Sequence, residues 1–306
     1  MADIPTVTLP RPVVVMDGGM GQELLARSAA GEHPLWSANA LIEEPDLVRE
    51  VHADYVRAGA EIILTNTYSL IRHRLAAHGI EDRYRELNAL AGRLAQQACN
   101  GAGNGTLIAG SLPPLFGSYR PDTVKPFSEI EPLYREQAEI LAPYVDFFIC
   151  ETMSSAAEAR AAVSAAAGTG KPVWVAWTLV DDGRPLLRSG ETIAEAAQAL
   201  EGLGVSGFLA NCCAPESITA AMPALAALGQ SVVGGYANGF RGIPKGWSST
   251  ESGIDALGTR DDLGPDSYAG HVESWIDRGA RVVGGCCEIG PAHIAEIRDR
   301  LAAWQP

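Results

Sequence analysis

Residues 280–287 read Ala-Arg-Val-Val-Gly-Gly-Cys-Cys, and this stretch sets the reading of the fold. A short apolar run that does not alternate with polar residues suits a parallel strand buried on both faces. Here it ends in two glycines, and reactive side chains follow at once. The same order recurs along the chain. Run 13–16 leads into Asp17-Gly18-Gly19, run 61–64 into Thr65-Asn66-Thr67, and run 107–109 into Gly110-Ser111. Run 147–150 leads into Glu151-Thr152, run 173–177 into Thr178, and run 207–210 into Asn211-Cys212-Cys213. Val232-Val233 passes through Gly234-Gly235 to Tyr236-Ala237-Asn238.

Amphipathic stretches separate these runs. They cover 46–58, 84–99, 155–167, 192–203, 216–228, 266–278 and 292–303. In the first, Leu47, Val48, Val51, Tyr55 and Val56 fall near one face. An N-cap at or beside Asp46 starts it and Gly59 ends it. Pro291 suits a first helical turn, whereas Pro223 is expected to kink or split its helix. Eight alternations of strand and helix predict a (β/α)8 TIM barrel, one domain over 1–306, ahead of a doubly wound open sheet. On such a barrel the residues just past the strands share one face. Asp17, Asn66, Glu151, Cys212, Asn238, Cys286 and Cys287 would then surround one opening.

Composition narrows the setting. The 306 residues are 47% hydrophobic, enough for a large core. No apolar run nears the roughly 20 residues that span a bilayer, and the start lacks the basic and apolar regions of a secretory leader. The expectation is a cytoplasmic protein without a membrane partner. In that compartment paired cysteines are metal ligands or reactive thiols more often than disulfides. A formal net charge of −14 argues against a nucleic-acid partner. The glycine-rich 101–105 segment follows a helix and precedes a strand, the reverse of a dinucleotide loop, so it reads as a turn. The long 242–264 loop reads as a lid or an insertion.

Four of the six cysteines form two vicinal pairs past strand ends. Cys99 and Cys150 read as core residues. Cys286, Cys287 and a third thiolate from Cys212 would give Zn2+ three ligands and leave one position open. Three thiolates leave such an ion with a net negative charge, which suits a fourth sulfur better than hydrolysis. A free thiol, with a pKa of about 8.5, is mostly protonated at neutral pH, and coordination removes that proton. Buried structural thiols or a redox dithiol compete with this reading, although there is no Cys-x-x-Cys. The amides of residues 18–21 can approach a carboxylate closely. Asp17 could instead cap a helix, Glu151 pair with a surface arginine, and Asn238 serve a turn. Asn66 and Thr178 either line the pocket or satisfy backbone groups.

These residues resemble the homocysteine S-methyltransferases. Asp17-Gly18-Gly19-Met20-Gly21-Gln22-Glu23-Leu24 is similar to that family's first-strand motif, Asn211-Cys212 to its second signature, and Gly284-Gly285-Cys286-Cys287 to its third. Thr65-Asn66-Thr67, Glu151-Thr152, Tyr236-Ala237-Asn238-Gly239 and the stretch from Tyr268 to His293-Ile294 follow in the family's order. The resemblance implies a zinc-dependent barrel that methylates L-homocysteine to methionine. By position, Cys212, Cys286 and Cys287 would hold zinc, and the Asn-Cys pattern selects Cys212 over Cys213. Asp17 and Glu151 would hold the substrate ammonium. Gly18, Gly19, Met20 and Asn66 would complete the substrate site, with Asn238 capping the open metal position. Glu288 departs from the Gly or Arg frequent in the family, and Cys213 offers a competing sulfur.

The chain stops soon after the last helix and carries no Asp-x-His-x-x-Gly cobalamin motif. In this it resembles the short enzymes that use S-methyl-L-methionine, a sulfonium donor. Such a cation is expected near Trp36, Phe116, Tyr119 or Trp177. The alternatives are betaine, a separate methyl-corrinoid protein, or a non-catalytic zinc-binding subunit.

Overall fold

The computed structural model describes residues 4–29, 33–103, 105–247 and 253–303. Asn104 of the 101–105 turn and residues 248–252 of the 242–264 loop lie outside this set. The strands are β1 (Val14–Val15), β2 (Ile62–Leu64), β3 (Leu107–Leu112), β4 (Phe147–Met153), β5 (Val173–Trp177), β6 (Val205–Asn211), β7 (Val233–Ala237) and β8 (Val282–Gly285). Neighbours pair in parallel in the order β1-β8-β7-β6-β5-β4-β3-β2.

The two ends of that order also meet. Met16 bridges Ile62, the Glu61 amide donates to the Val15 carbonyl at 2.7 Å, and the Asp17 amide donates to the Ile62 carbonyl at 2.9 Å. The sheet is therefore closed, and β1 and β2 are not the edges that an open sheet would leave. Alternation is present but hidden, because both faces of each strand are apolar. Phe147 and Ile149 pack inside the barrel with Met16, Trp174 and Leu209. Phe148 and Cys150 face the outer helices. No helix among the described residues is long and apolar enough to cross a membrane.

Several strands run further than their apolar runs suggest. Glu151 and Asn211 lie within β4 and β6, not just past them. The seven expected helices form, with shifted ends. Pro45 opens the Pro45–Ala58 helix after Glu44, with no side-chain cap, and Gly59 closes it at φ 112°. The 192–203 stretch is helical only over Ile193–Gln198 and continues as turns to the left-handed glycines at 202 and 204. Pro223 does not split its helix, which is continuous over Pro215–Ala226. A further helix, Phe127–Leu141, was hidden by Pro132, which lies inside it.

Candidate metal and substrate site

Strand β7 is hydrogen-bonded to β6 on one side and β8 on the other. The β6 and β8 backbones are thus about 9–10 Å apart, two strand spacings. Both cysteine segments hang on β7: the Cys212 amide donates to the Tyr236 carbonyl at 3.0 Å and the Cys286 amide to the Ala237 carbonyl at 2.8 Å. Past the strand ends the side chains lean together over β7. Cys212 takes a left-handed turn, φ 48°, and the Thr178 hydroxyl fixes its carbonyl at 3.2 Å. The Cys212 sulfur ends 2.8 Å from that of Cys286 and 3.8 Å from that of Cys287. All three ligand atoms lie within 4.8 Å of one another, and no fourth His, Cys, Asp or Glu among the described residues joins them.

This donor set fits a soft metal. Zn–S bonds of about 2.3 Å in a tetrahedron put sulfurs about 3.8 Å apart. The 2.8 Å pair is tighter than that, yet well beyond the roughly 2.05 Å of a disulfide, and all six cysteines are free thiols. Burial opposes a charge on Cys212. The thiols of Cys286 and Cys287 and the Tyr119 hydroxyl, 3.1 Å away, outweigh it and hold Cys212 well below the usual thiol range. Cys213 points the opposite way, into the outer core, where burial pushes its thiol up. Adjacent cysteines thus face different environments, and Cys212 is the one that reaches the cluster.

The Asp17–Gly19 loop is pressed against the Cys286–Ile289 loop. A Cβ on Gly18 would stand 2.0 Å from the Ile289 carbonyl oxygen, and one on Gly19 2.6 Å from that of Cys286. Only glycine permits that approach. Asp17 does not cap the following helix, whose N-cap is Gly19. Its carboxylate accepts from the Leu64 amide at 2.8 Å. Glu151 accepts from the Ser111 hydroxyl and, at 3.4 Å, from the Tyr236 hydroxyl, and it meets no arginine. A register shift in β4 follows Cys150, and Thr152 there has φ 59°. Asn211 clamps this bulge, accepting from the Thr152 amide and donating to its hydroxyl, both at 2.9 Å. The bulge sets the direction of Glu151.

Burial, with the charge near Cys212, pushes Glu151 up to about 7. Burial and the Glu151 charge also hold Asp17 well above the usual carboxylate range, despite the Leu64 amide. Two carboxylates in this state call for a cation between them. Both line one cavity of about 890 Å³, open mouth included, together with the three thiols.

The sequence profile of the homocysteine S-methyltransferase family matches residues 14–301. The chain belongs to this family. The homocysteine S-methyltransferase of Escherichia coli (strain K12) is 30% identical to it, over 94% of this chain and 95% of that one. A selenocysteine methyltransferase of Astragalus bisulcatus is 28% identical, over 95% and 93%. A crystal structure of the homocysteine methyltransferase MmuM from Escherichia coli, in its metallated form, aligns with a TM-score of 0.80 at 30% identity, covering 95% of this chain and 97% of that one.

In this homocysteine S-methyltransferase family member, Asn66 lines the cavity and donates to the Ser37 carbonyl at 3.2 Å. Asn238 serves a turn and the cluster together: its side chain accepts from the Phe240 amide at 3.2 Å, and its amide nitrogen lies 4.0 Å from the Cys212 sulfur. Glu288 turns away from the thiols and accepts from the Thr259 hydroxyl at 2.9 Å. Thr178 works from behind Cys212 and does not line the cavity. Trp36 and Tyr119 line it, whereas Phe116 and Trp177 do not; Trp177 is buried against Phe208.

Sequence reading overlooked Tyr68, Arg74, Phe240 and Trp247, which also line the cavity. Tyr68, Phe240 and Trp247 sit in loops after β2 and β7 and Arg74 in the short Arg72–Ala76 helix after β2, so position past a strand end was the available signal. The described non-glycine residues with left-handed φ are Trp36, Tyr119, Thr152, Cys212 and Glu288. Each lines the cavity or adjoins a residue that does. Such conformations cost about 1–3 kcal/mol each, and they gather where a site needs its backbone held.

Proposed function

We propose that this protein transfers a methyl group to the thiol of L-homocysteine, giving methionine. In this reading Cys212, Cys286 and Cys287 hold Zn2+, and S-methyl-L-methionine is the donor. The observation that carries it is the pairing, in one cavity, of three converging thiols with two buried carboxylates. An amino acid with a thiol side chain presents the complementary groups. Its ammonium meets Asp17 and Glu151, its carboxylate meets the amides of Gly18 and Met20, beside the Gly19 amide that the Ile289 carbonyl holds at 2.8 Å, and its sulfur reaches the cysteines. Asn66 borders the amino-acid end, and Asn238 sits beside the cysteine end.

Zinc held by Cys212, Cys286 and Cys287 would lower the pKa of an incoming thiol and so supply a nucleophilic sulfur at neutral pH. Asp17 and Glu151 fix the other end of the substrate, so its sulfur has one place to go. That sulfur attacks the methyl carbon in line. The bond from methyl to the sulfonium sulfur breaks, its electron pair stays on the departing sulfur, and two neutral thioethers result. Trp36 with Tyr68, and Tyr119 with Trp247, form two aromatic pairs at 6.3 and 5.7 Å around the cavity. Aromatic faces attract a sulfonium cation and release the neutral product.

The absence of a fourth protein ligand among the described residues favours an enzyme over a closed structural site. One domain over 1–306 carries all these parts, and the cytoplasm is its proposed workplace, where three exposed-to-substrate thiols stay reduced. The test is turnover of homocysteine by zinc-loaded protein with S-methylmethionine, betaine or a methyl-corrinoid protein. Methionine formation from S-methylmethionine is expected. Activity with betaine alone would refute the donor, and no activity with any of the three would refute the reaction.

A further inference from the structure

Arg74 is the one cationic side chain among the described residues that line the cavity. It lies in the short Arg72–Ala76 helix that follows β2. Its helix neighbour Arg72 is fully engaged, holding Glu136 with two bonds of 2.6 Å. Arg74 has no such partner. Burial lowers its guanidinium from the usual range, and the Tyr68 hydroxyl is the other group acting on it. A guanidinium stays charged in a protein, and one withdrawn from water without a counter-ion is costly.

The amino-acid acceptor leaves Arg74 unmatched. Its ammonium and carboxylate are already met by Asp17, Glu151 and the loop amides. Arg74 therefore faces a different anion, and a planar guanidinium matches a carboxylate with two parallel bonds. We propose that Arg74 binds the carboxylate of the methyl donor. The structure thereby assigns Arg74 the carboxylate end of the donor, away from the methyl that is transferred. The inference rests on the methyltransferase reading above and adds the residue that anchors its donor.

The experiment compares wild type, Arg74→Gln and Arg74→Lys, each zinc-loaded. It uses S-methylmethionine and its methyl ester, with donor binding followed separately by tryptophan fluorescence. Arg74→Gln is expected to raise the donor KM and Kd about 10- to 100-fold, as loss of a charge-assisted contact does. The homocysteine KM should stay within about twofold, and Arg74→Lys should recover part of the loss. Wild type should prefer the acid over the ester, and Arg74→Gln should lose that preference. A donor KM in Arg74→Gln within twofold of wild type, or an unchanged preference for the acid, overturns the role of Arg74 alone. Wild type that uses neither S-methylmethionine nor betaine, yet accepts methyl from a corrinoid protein, overturns the donor class itself.

Discussion

Replacing Glu151 with glutamine separates two roles of one buried carboxylate. In the folded protein burial raises it to about 7, against about 4.5 in the unfolded chain, near the value for an exposed glutamate. A raised carboxylate holds its proton in the native state after the unfolded state has lost it. Its contribution to stability is complete below pH 4.5 and is lost as pH climbs through 7. The 2.5-unit gap amounts to about 3.4 kcal/mol in total, of which about 2.5 kcal/mol falls between pH 5 and pH 8. Glutamine has no proton to lose. Urea denaturation of substrate-free protein at both pH values should show the pH 5-to-8 loss shrinking by at least about 2.5 kcal/mol in Glu151→Gln, since Asp17, relieved of the Glu151 charge, also moves back toward the usual carboxylate range. The same variant loses the charge that meets the substrate ammonium. Its homocysteine KM should rise about 10- to 100-fold, the worth of a charge-assisted hydrogen bond. Equal pH dependence in the two proteins would refute the burial argument, and an unchanged homocysteine KM would refute the ammonium assignment.

The vicinal cysteines should behave oppositely. Cys212→Ala should abolish zinc binding, whereas Cys213→Ala should keep full zinc and activity, because the Cys213 thiol lies in the outer core; metal analysis of purified variants reads the difference. Gly19→Ala drives a methyl to within 2.6 Å of the Cys286 carbonyl. The two loops must then part, lowering stability by about 1–3 kcal/mol in urea titration and weakening zinc and homocysteine binding together. His52 is fully buried, neither ring nitrogen has a partner, and burial lowers its pKa to about 3. An unfolded imidazole takes a proton near pH 6.5, so this contribution is whole above that pH. It falls by up to ~1.4 kcal/mol per unit as pH drops toward 3. His52→Leu should flatten that acid limb, as followed by urea midpoints at pH 7 and 5.

What the sequence revealed follows from which interactions are local. The eight runs were legible because a parallel strand buried on both faces is apolar throughout, and the glycines and polar residues after them marked the functional end. Asp17, Glu151 and the cysteines were legible for the same reason. Strand lengths were not, because Glu151 and Asn211 look like loop residues until β4 bulges and Asn211 clamps Thr152. The Phe127–Leu141 helix was obscured by a proline whose missing amide the helix absorbs. Trp177 was misplaced because a side chain at a strand end can point outward as readily as inward, and the pleat directs it toward Phe208. Arg74 had only its place beyond a strand end to mark it. Its meaning comes from lacking an acidic neighbour, and that is a property of the folded cavity.

The central claim is that three cysteine sulfurs hold a metal with one place left for the substrate's sulfur. X-ray absorption at the zinc edge, taken with and without homocysteine, tests it most directly. The account predicts three sulfur ligands and one lighter atom in the free protein, becoming four sulfurs when homocysteine is added. A coordination shell that is unchanged by homocysteine, or one that survives the alteration of all three cysteines to alanine, would contradict it.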